Sequence, residues 1–156
     1  MGIDWKKLLL SLAIPLGVGG LASLLSGGYD LYGQLEQPPL SPPGWIFPVV
    51  WTVLYLLMGY ASYRVWTAPA GEDLKRRALT LYGAQLAVNF IWPLLFFGAQ
   101  WYLAALLWLL LLWILILLTM RAFAAVDERS SDLLIPYLLW VTFALYLNFG
   151  VWVLNR

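Results

Sequence analysis

Three runs of the chain place aromatic and uncharged polar side chains at steps of three and four residues. Trp51, Tyr55, Met58 and Ser62 form the first run. Tyr82, Gln85, Asn89, Trp92 and Phe96 form the second, and Tyr137, Trp140, Ala144, Asn148 and Val151 the third. Such spacing puts each set on one face of a helix. Indole, phenol and carboxamide groups stack on flat apolar molecules and offer a few hydrogen bonds. They supply no strong base, no ready nucleophile and no strong metal ligand. The 156 residues include no cysteine and no histidine, which removes thiolate chemistry, the commonest metal ligand and the commonest general base. No ionisable residue lies deep within an apolar run, so a proton relay or ion pathway lacks its usual groups. A haem held by histidine or cysteine is likewise excluded. The residues therefore predict non-covalent capture of an apolar ligand, with no metal and no cofactor. A net charge of +1 makes no electrostatic case for nucleic acid.

The elements that carry these stripes follow from composition. The chain is 63% hydrophobic and 11% charged, far from the roughly 25% charge of soluble domains. A soluble domain this small could not bury so much apolar surface. Five runs reach the roughly 20 apolar residues needed to cross a bilayer, at 5–25, 45–66, 78–98, 102–120 and 133–154. Short alternating strands of a barrel are missing. The expected fold is an all-α integral membrane protein, a single five-transmembrane-helix bundle over 1–156. The first run could also be read as a signal peptide, but it is long enough to span and no small-residue cleavage site follows. Lys6, Lys7, Arg64, Lys75, Arg76, Arg77, Arg121 and Arg129 fall at one end of the bundle and Arg156 at the other. The excess predicts a cytoplasmic N-terminus and an external C-terminus. The outer connection, 26–44, carries Pro38, Pro39, Pro42 and Pro43. Proline stiffens it, and the loop reads equally as a lid or as a passive tether.

Polar side chains in a bilayer seek one another or a cavity, so the three stripes face inward. They line either a ligand cavity open toward the outer loop or a helix-packing seam; periodicity does not separate the two. The fourth run is apolar all round and reads as a lipid-facing helix. Pro15, Pro48, Pro93 and Pro136 read as internal to their spans, either as kinks or as tolerated bends. Gly83 with Ala87 forms a small-xxx-small pair opposite Gln85 and Trp92. Ala13 with Gly17, and Gly19 with Ser23, do the same on the first span. Such pairs allow close helix approach, for Gly83 and Ala87 across a homodimer seam or within one chain. Leu57, Tyr60 and Arg64 match a loose cholesterol-type pattern that recurs by chance.

Three long motifs in order carry a family resemblance: PPGWIFPVVWTVLYLLMGYASYRVW from Pro42, AQLAVNFIWPLLFFGA from Ala84 and PYLLWVTFALYLNFGVW from Pro136. Together they closely resemble the TspO/MBR family of bacterial tryptophan-rich sensory proteins and mitochondrial translocator proteins. The resemblance covers nearly the whole chain. It implies a five-helix membrane fold, commonly dimeric, with a pocket under the first long loop. Family ligands are porphyrins such as protoporphyrin IX, sterols in the mitochondrial branch, and synthetic isoquinolines and benzodiazepines. Matched residue by residue, the pocket would use Tyr32, Trp51, Tyr55, Asn89, Trp92, Trp140, Ala144 and Leu147. Trp51 and Trp140 match tryptophans linked in some bacterial members to light-dependent porphyrin breakdown, and would be the catalytic pair if this chain degrades its ligand.

The chain departs from the family at three points. Leu40 stands where the loop usually has tryptophan. Phe149 replaces a tyrosine of the sterol motif, and Val153 stands where a cation is expected nearby. Tight sterol binding through that motif is not expected. The leading expectation is a receptor or sensor of a tetrapyrrole in a bacterial cell membrane, with the lipid bilayer and a second copy as partners. The alternatives are a light- and oxygen-dependent porphyrin-degrading enzyme and a porphyrin or sterol transporter.

Overall fold

The computed structural model describes residues 2–28 and 30–156, and among them there is no strand. Helix α1 is Trp5–Ser26, α2 Ile46–Thr67, α3 Glu72–Pro93, α4 Tyr102–Val126, α5 the short Glu128–Asp132, and α6 Ile135–Leu154. A π-helical turn, Leu94–Gly98, extends α3, and a 3-10 turn, Asp30–Gln34, lies in the first connection. Five segments are long and apolar enough to cross a membrane: α1, α2, α3 with its π turn, α4, and α5 with α6. The protein is an all-helical integral membrane bundle. Helices α3 and α4 outrun the expected spans at the arginine-rich end, because polar residues in water continue a helix as well as apolar ones do. Glu72 and Asp73 sit in the first turn of α3, where the helix dipole favours acidic groups.

Lipid tails are as apolar as leucine, so close packing and interhelical hydrogen bonds hold such a bundle together. Gly59 of α2 lies against the backbone of Ser11 and Leu12 in α1. On α4, Ala105, Leu109, Leu112, Ile116, Thr119 and Phe123 form a buried stripe at helical spacing. This corrects the reading of the fourth span as wholly lipid-facing: a seam of α4 packs on α3 and α6. Apolarity on every side hid it, since lipid and protein interior select the same side chains there. The two indoles of α4 are also fastened to neighbours. Trp108 Nε1 donates to the Val88 carbonyl at 2.8 Å, and Trp113 Nε1 donates to Thr142 Oγ1 at 2.9 Å. Two prolines also differ from expectation. Pro48 and Pro136 fall in the first turns of α2 and α6, where an amide has no intrahelical partner to lose. Pro15 is internal to α1, and Pro93 ends α3.

Polar clasps tie the basic end. The Tyr63 hydroxyl accepts from the Asp4 amide at 3.0 Å. Arg64 Nε donates to Asp127 Oδ2 at 2.7 Å, and Ser130 Oγ donates to the same oxygen at 2.6 Å. The Arg64 guanidinium, helped by Ser130, holds the Asp127 carboxyl below its ordinary value. Trp5, Trp45 and Trp101 are exposed at helix ends, the positions of interfacial anchors.

At the other end, the first connection is packed over the bundle as a lid. Gly27, in the left-handed region at φ 88°, closes α1 by donating its N–H to the Ser23 carbonyl. Beyond it, Gln37 Nε2 donates to the Tyr32 carbonyl at 2.7 Å. The lid is fastened to α6. Asn155 Oδ1 accepts from the Glu36 amide at 3.1 Å, and Asn155 Nδ2 donates to the Glu36 carbonyl at 2.8 Å. The Tyr146 hydroxyl donates to the Pro39 carbonyl at 2.6 Å. Pro38 sits on Gly150, occupying the space that a Cβ there would need. We therefore expect Gly150→Leu to lift the lid. Hydrogen exchange at the Glu36 amide should accelerate by about tenfold or more as the opening costs less. Unchanged exchange would mean that the loop shifts without detaching.

Candidate functional site

The inward stripes meet through a chain of uncharged polar groups. Tyr55 of α2 donates its hydroxyl hydrogen to Asn89 Oδ1 of α3 at 3.0 Å. Asn89 Nδ2 donates to the Tyr137 hydroxyl of α6 at 2.7 Å, and that hydroxyl donates to Gln85 Oε1 at 2.7 Å. Gln85 Nε2 ends the chain on the Tyr82 carbonyl at 2.9 Å. One turn toward the lid, Trp92 Nε1 donates to Asn148 Oδ1 at 3.0 Å, and Asn148 Nδ2 donates to the Tyr102 carbonyl at 2.9 Å. These groups are buried without a formal charge among them, and each bond satisfies a donor that lipid could not.

Aromatic rings surround this network. Trp51 stacks on Tyr55 with centroids 5.6 Å apart and meets Tyr137 edge-on at 6.2 Å. Trp92 stacks on Phe96 at 5.2 Å and meets Phe97 edge-on at 5.9 Å. The π turn after Pro93 explains how two consecutive phenylalanines both reach the interior. A widened turn departs from the ordinary helical period, and such turns recur at functional sites. Tyr32 closes the top of the site from the lid, its ring edge-on to Phe47 at 4.7 Å. Burial pushes its hydroxyl above the ordinary phenol value, so it stays neutral.

Two small voids remain between the rings, one on each side of Trp92. The upper is bounded by Tyr32, Phe47, Phe96, Phe97, Ala144 and Leu147; the lower by Gly19, Ser23, Trp51, Tyr55 and Asn89. Each measures about 10 Å³, room for roughly one water. Drug-sized ligands occupy pockets of roughly 300 Å³ or more. The interior is therefore closed, and a large ligand would have to part the rings and lift the lid.

Of the eight residues expected at the site, seven border these voids. Trp140 is placed differently. It is half-buried between α2 and α6, with its ring 5.8 Å from Phe47 and 5.7 Å from Phe143. It lines an outward apolar groove with Val49, Val53 and Leu139, and its buried Nε1 has no hydrogen-bond partner among the described residues. Leu40 is fully outside, 86% exposed at the tip of the lid. The eight expected residues leave out four contributors, Gln85, Tyr137, Gly19 and Ser23. Gln85 and Tyr137 were on the stripes, and only the fold joins them to Asn89. The first helix was read for close packing only: Gly19 gives its surface to the Tyr55 ring, and Ser23 lines the lower void. The Gly19–Ser23 spacing was the available signal. Gly83 and Ala87 lie on the opposite, exposed face of α3.

Fold and site together define a five-span membrane protein with an uncharged aromatic–amide interior under an ordered loop. The chain belongs to the TspO/MBR family, which matches residues 11–153. It is 40% identical to the tryptophan-rich protein TspO of Chlorobaculum tepidum, over 95% of this chain and 94% of that one. It is 37% identical to the tryptophan-rich sensory protein of Cereibacter sphaeroides, over 99% and 95%. It is 38% identical to the translocator protein of Ovis aries, over 91% and 85%. Family membership supports a membrane receptor or sensor role.

Proposed function

We propose that this protein is a membrane receptor for a flat tetrapyrrole such as protoporphyrin IX, or a related hydrophobic molecule, taken into the interior beneath the lid. The observation that carries the reading is the convergence of Tyr32, Trp51, Tyr55, Asn89, Trp92, Ala144 and Leu147 on two adjoining voids. A ligand entering between Trp51 and Trp92, which border the same void, replaces the Trp51–Tyr55 and Trp92–Phe96 stacking with ring–ligand stacking, and the Asn89 and Asn148 amides can turn to its polar atoms. The ligand's affinity is reduced by the cost of opening the closed form.

Trp51 borders the lower void directly and stacks on Tyr55, which favours a second reading in which an oxidisable indole takes part in breakdown of the ligand under light and oxygen. One titration tests both readings. Protoporphyrin IX added in the dark should quench tryptophan fluorescence saturably, and Trp51→Phe/Trp92→Phe should weaken binding by about tenfold. No saturable quenching sinks the receptor reading. On illumination, bleaching that requires protein and is lost in Trp51→Phe supports breakdown; equal bleaching without protein removes it.

We also propose that a second copy packs on the exposed small-residue face of α3. Gly83 has open space where a Cβ would stand, and Ala87 is exposed one turn on. Because the chain has no native cysteine, Gly83→Cys provides a single reactive site. Efficient disulfide cross-linking in native membranes is expected, and a yield no higher than that of a cysteine placed at Leu139 would rule this face out.

A further inference from the structure

A groove far larger than the interior voids lies away from the aromatic site. It lies between α3 and α4 at the arginine-rich end and encloses about 790 Å³. Its polar rim brings together Arg76 and Arg77 of α3 and Arg121 of α4, with the Thr80 hydroxyl beside them. Asp73 is the one acidic residue lining it, set 3.9 Å from Arg76 and wholly exposed. Arg77 and Arg121 have no ion pair among the described residues. Three guanidinium groups against one carboxylate leave a surplus of two positive charges facing one concavity.

Below the rim the walls become apolar. Leu81 and Leu118 form the sides there, while the small Ala122 and Ala125, beyond Arg121 toward the end of α4, leave space among the guanidinium groups. Depth then selects the occupant. Arg121 is 19 residues along α4 from Tyr102, about 28 Å at a helical rise. Arg77 is 21 residues from Gly98, about 32 Å by the same rise if the π turn is neglected. Both match the roughly 30 Å hydrocarbon thickness, so the guanidinium groups stand at headgroup level while the leucines stand at acyl level. We propose that this groove is a binding site for an anionic phospholipid. Its phosphodiester and headgroup sit among Arg76, Arg77 and Arg121, with Thr80 as a further donor, and one acyl chain lies along Leu81 and Leu118. Guanidinium groups suit phosphate because they donate in a planar fork, and basic pockets between spans favour anionic headgroups. A soluble anion would leave the apolar half of the groove uncovered. The site is at the opposite end of the bundle from the aromatic interior and does not depend on the tetrapyrrole reading.

The test is competitive lipid retention. Protein in mild detergent is given equal amounts of dioleoyl phosphatidylglycerol and dioleoyl phosphatidylcholine, and bound lipid is measured by native mass spectrometry. Wild type should retain phosphatidylglycerol about tenfold over phosphatidylcholine. Arg77→Gln/Arg121→Gln should abolish the preference. Lys6→Gln/Lys7→Gln, which removes the same charge at the same end but outside the groove, should keep it. Ala125→Phe fills the groove at an exposed position without changing charge and should also lose phosphatidylglycerol, which covers the case of a poorly folded arginine variant. Three results overturn the proposal: no lipid preference in wild type, equal losses in the arginine and lysine variants, or retention unaffected by Ala125→Phe. Displacement of the lipid by millimolar inorganic phosphate would assign the groove to a soluble anion instead.

Discussion

Gly59→Val is expected to be among the most damaging single substitutions in the bundle. A Cβ at Gly59 would stand 2.7 Å from the Ser11 carbonyl oxygen and 3.0 Å from Leu12 Cα. Both are backbone atoms of α1 and cannot turn aside as a side chain can, so α1 must move bodily away from α2. Overpacking of this kind costs about 1–3 kcal/mol, and a branched residue against backbone belongs at the upper end. Helix propensity argues in the opposite direction, since replacing a helical glycine gains up to about 1 kcal/mol. The contrast makes the test decisive. Gly59→Ala should lower the thermal midpoint of the detergent-solubilised protein despite its better propensity, and Gly59→Val should lower it further. Gly17→Ala, on a part of α1 with open space around its Cβ position, should leave the midpoint unchanged or raise it. If Gly59→Ala proves as harmless as Gly17→Ala, the α1–α2 crossing is looser than described. The displacement also bears on the interior. Gly19 and Ser23 of α1 form one wall of the lower void, so withdrawing α1 should open the aromatic site to lipid.

Ala144→Phe should weaken protoporphyrin IX binding by about tenfold or more, equivalent to about 1.4 kcal/mol. Ala144 is 5% exposed and faces the upper void beside Tyr32, Phe47 and Trp92. A phenyl ring there takes the space into which the surrounding rings would have to swing to admit a ligand. With only about 10 Å³ free, the ring must also push neighbours aside, so a stability loss of about 1–3 kcal/mol accompanies it. Fluorescence quenching by the porphyrin separates the two effects when Leu139→Phe is run in parallel. Leu139 lies on the same helix but is 64% exposed, so its variant should bind as wild type does. Equal affinity in wild type and Ala144→Phe would mean that the ligand does not use the interior, and that the stripes serve packing alone.

The stripes illustrate what periodicity can and cannot convey. Steps of three and four put Tyr55, Asn89 and Tyr137 on inward faces of three separate helices. Nothing in the spacing says that Asn89 lies between the two phenols at 3.0 and 2.7 Å, because that depends on the mutual height and rotation of α2, α3 and α6. Trp140 shows the converse. It keeps the period of its stripe, yet α6 turns it toward the groove on α2 rather than toward Trp92. A helix stripe spans a wide arc, and residues at its edge can face the interior or a flank. The uniformly apolar α4 gave periodicity nothing to read, and its buried seam emerged only from packing.

Composition and run length alone determined that this is a bilayer protein of five spans. The reason is local: an isolated helix in lipid must be long and apolar whatever its neighbours are. The absence of histidine and cysteine likewise limited its chemistry before any fold was known. The long motifs were enough to reveal the family resemblance. Tertiary structure alone decided three further matters. The proline-rich connection is a fastened lid, because Asn155, Tyr146 and Gly150 of a helix more than a hundred residues away receive it. The interior is closed, because rings of α2, α3 and α6 fill it beneath Tyr32 of the lid. The arginines of α3 and α4 share one groove, because two helices joined at the far end return side by side. Each of these depends on contacts between residues distant in the chain, and such contacts leave no mark on spacing.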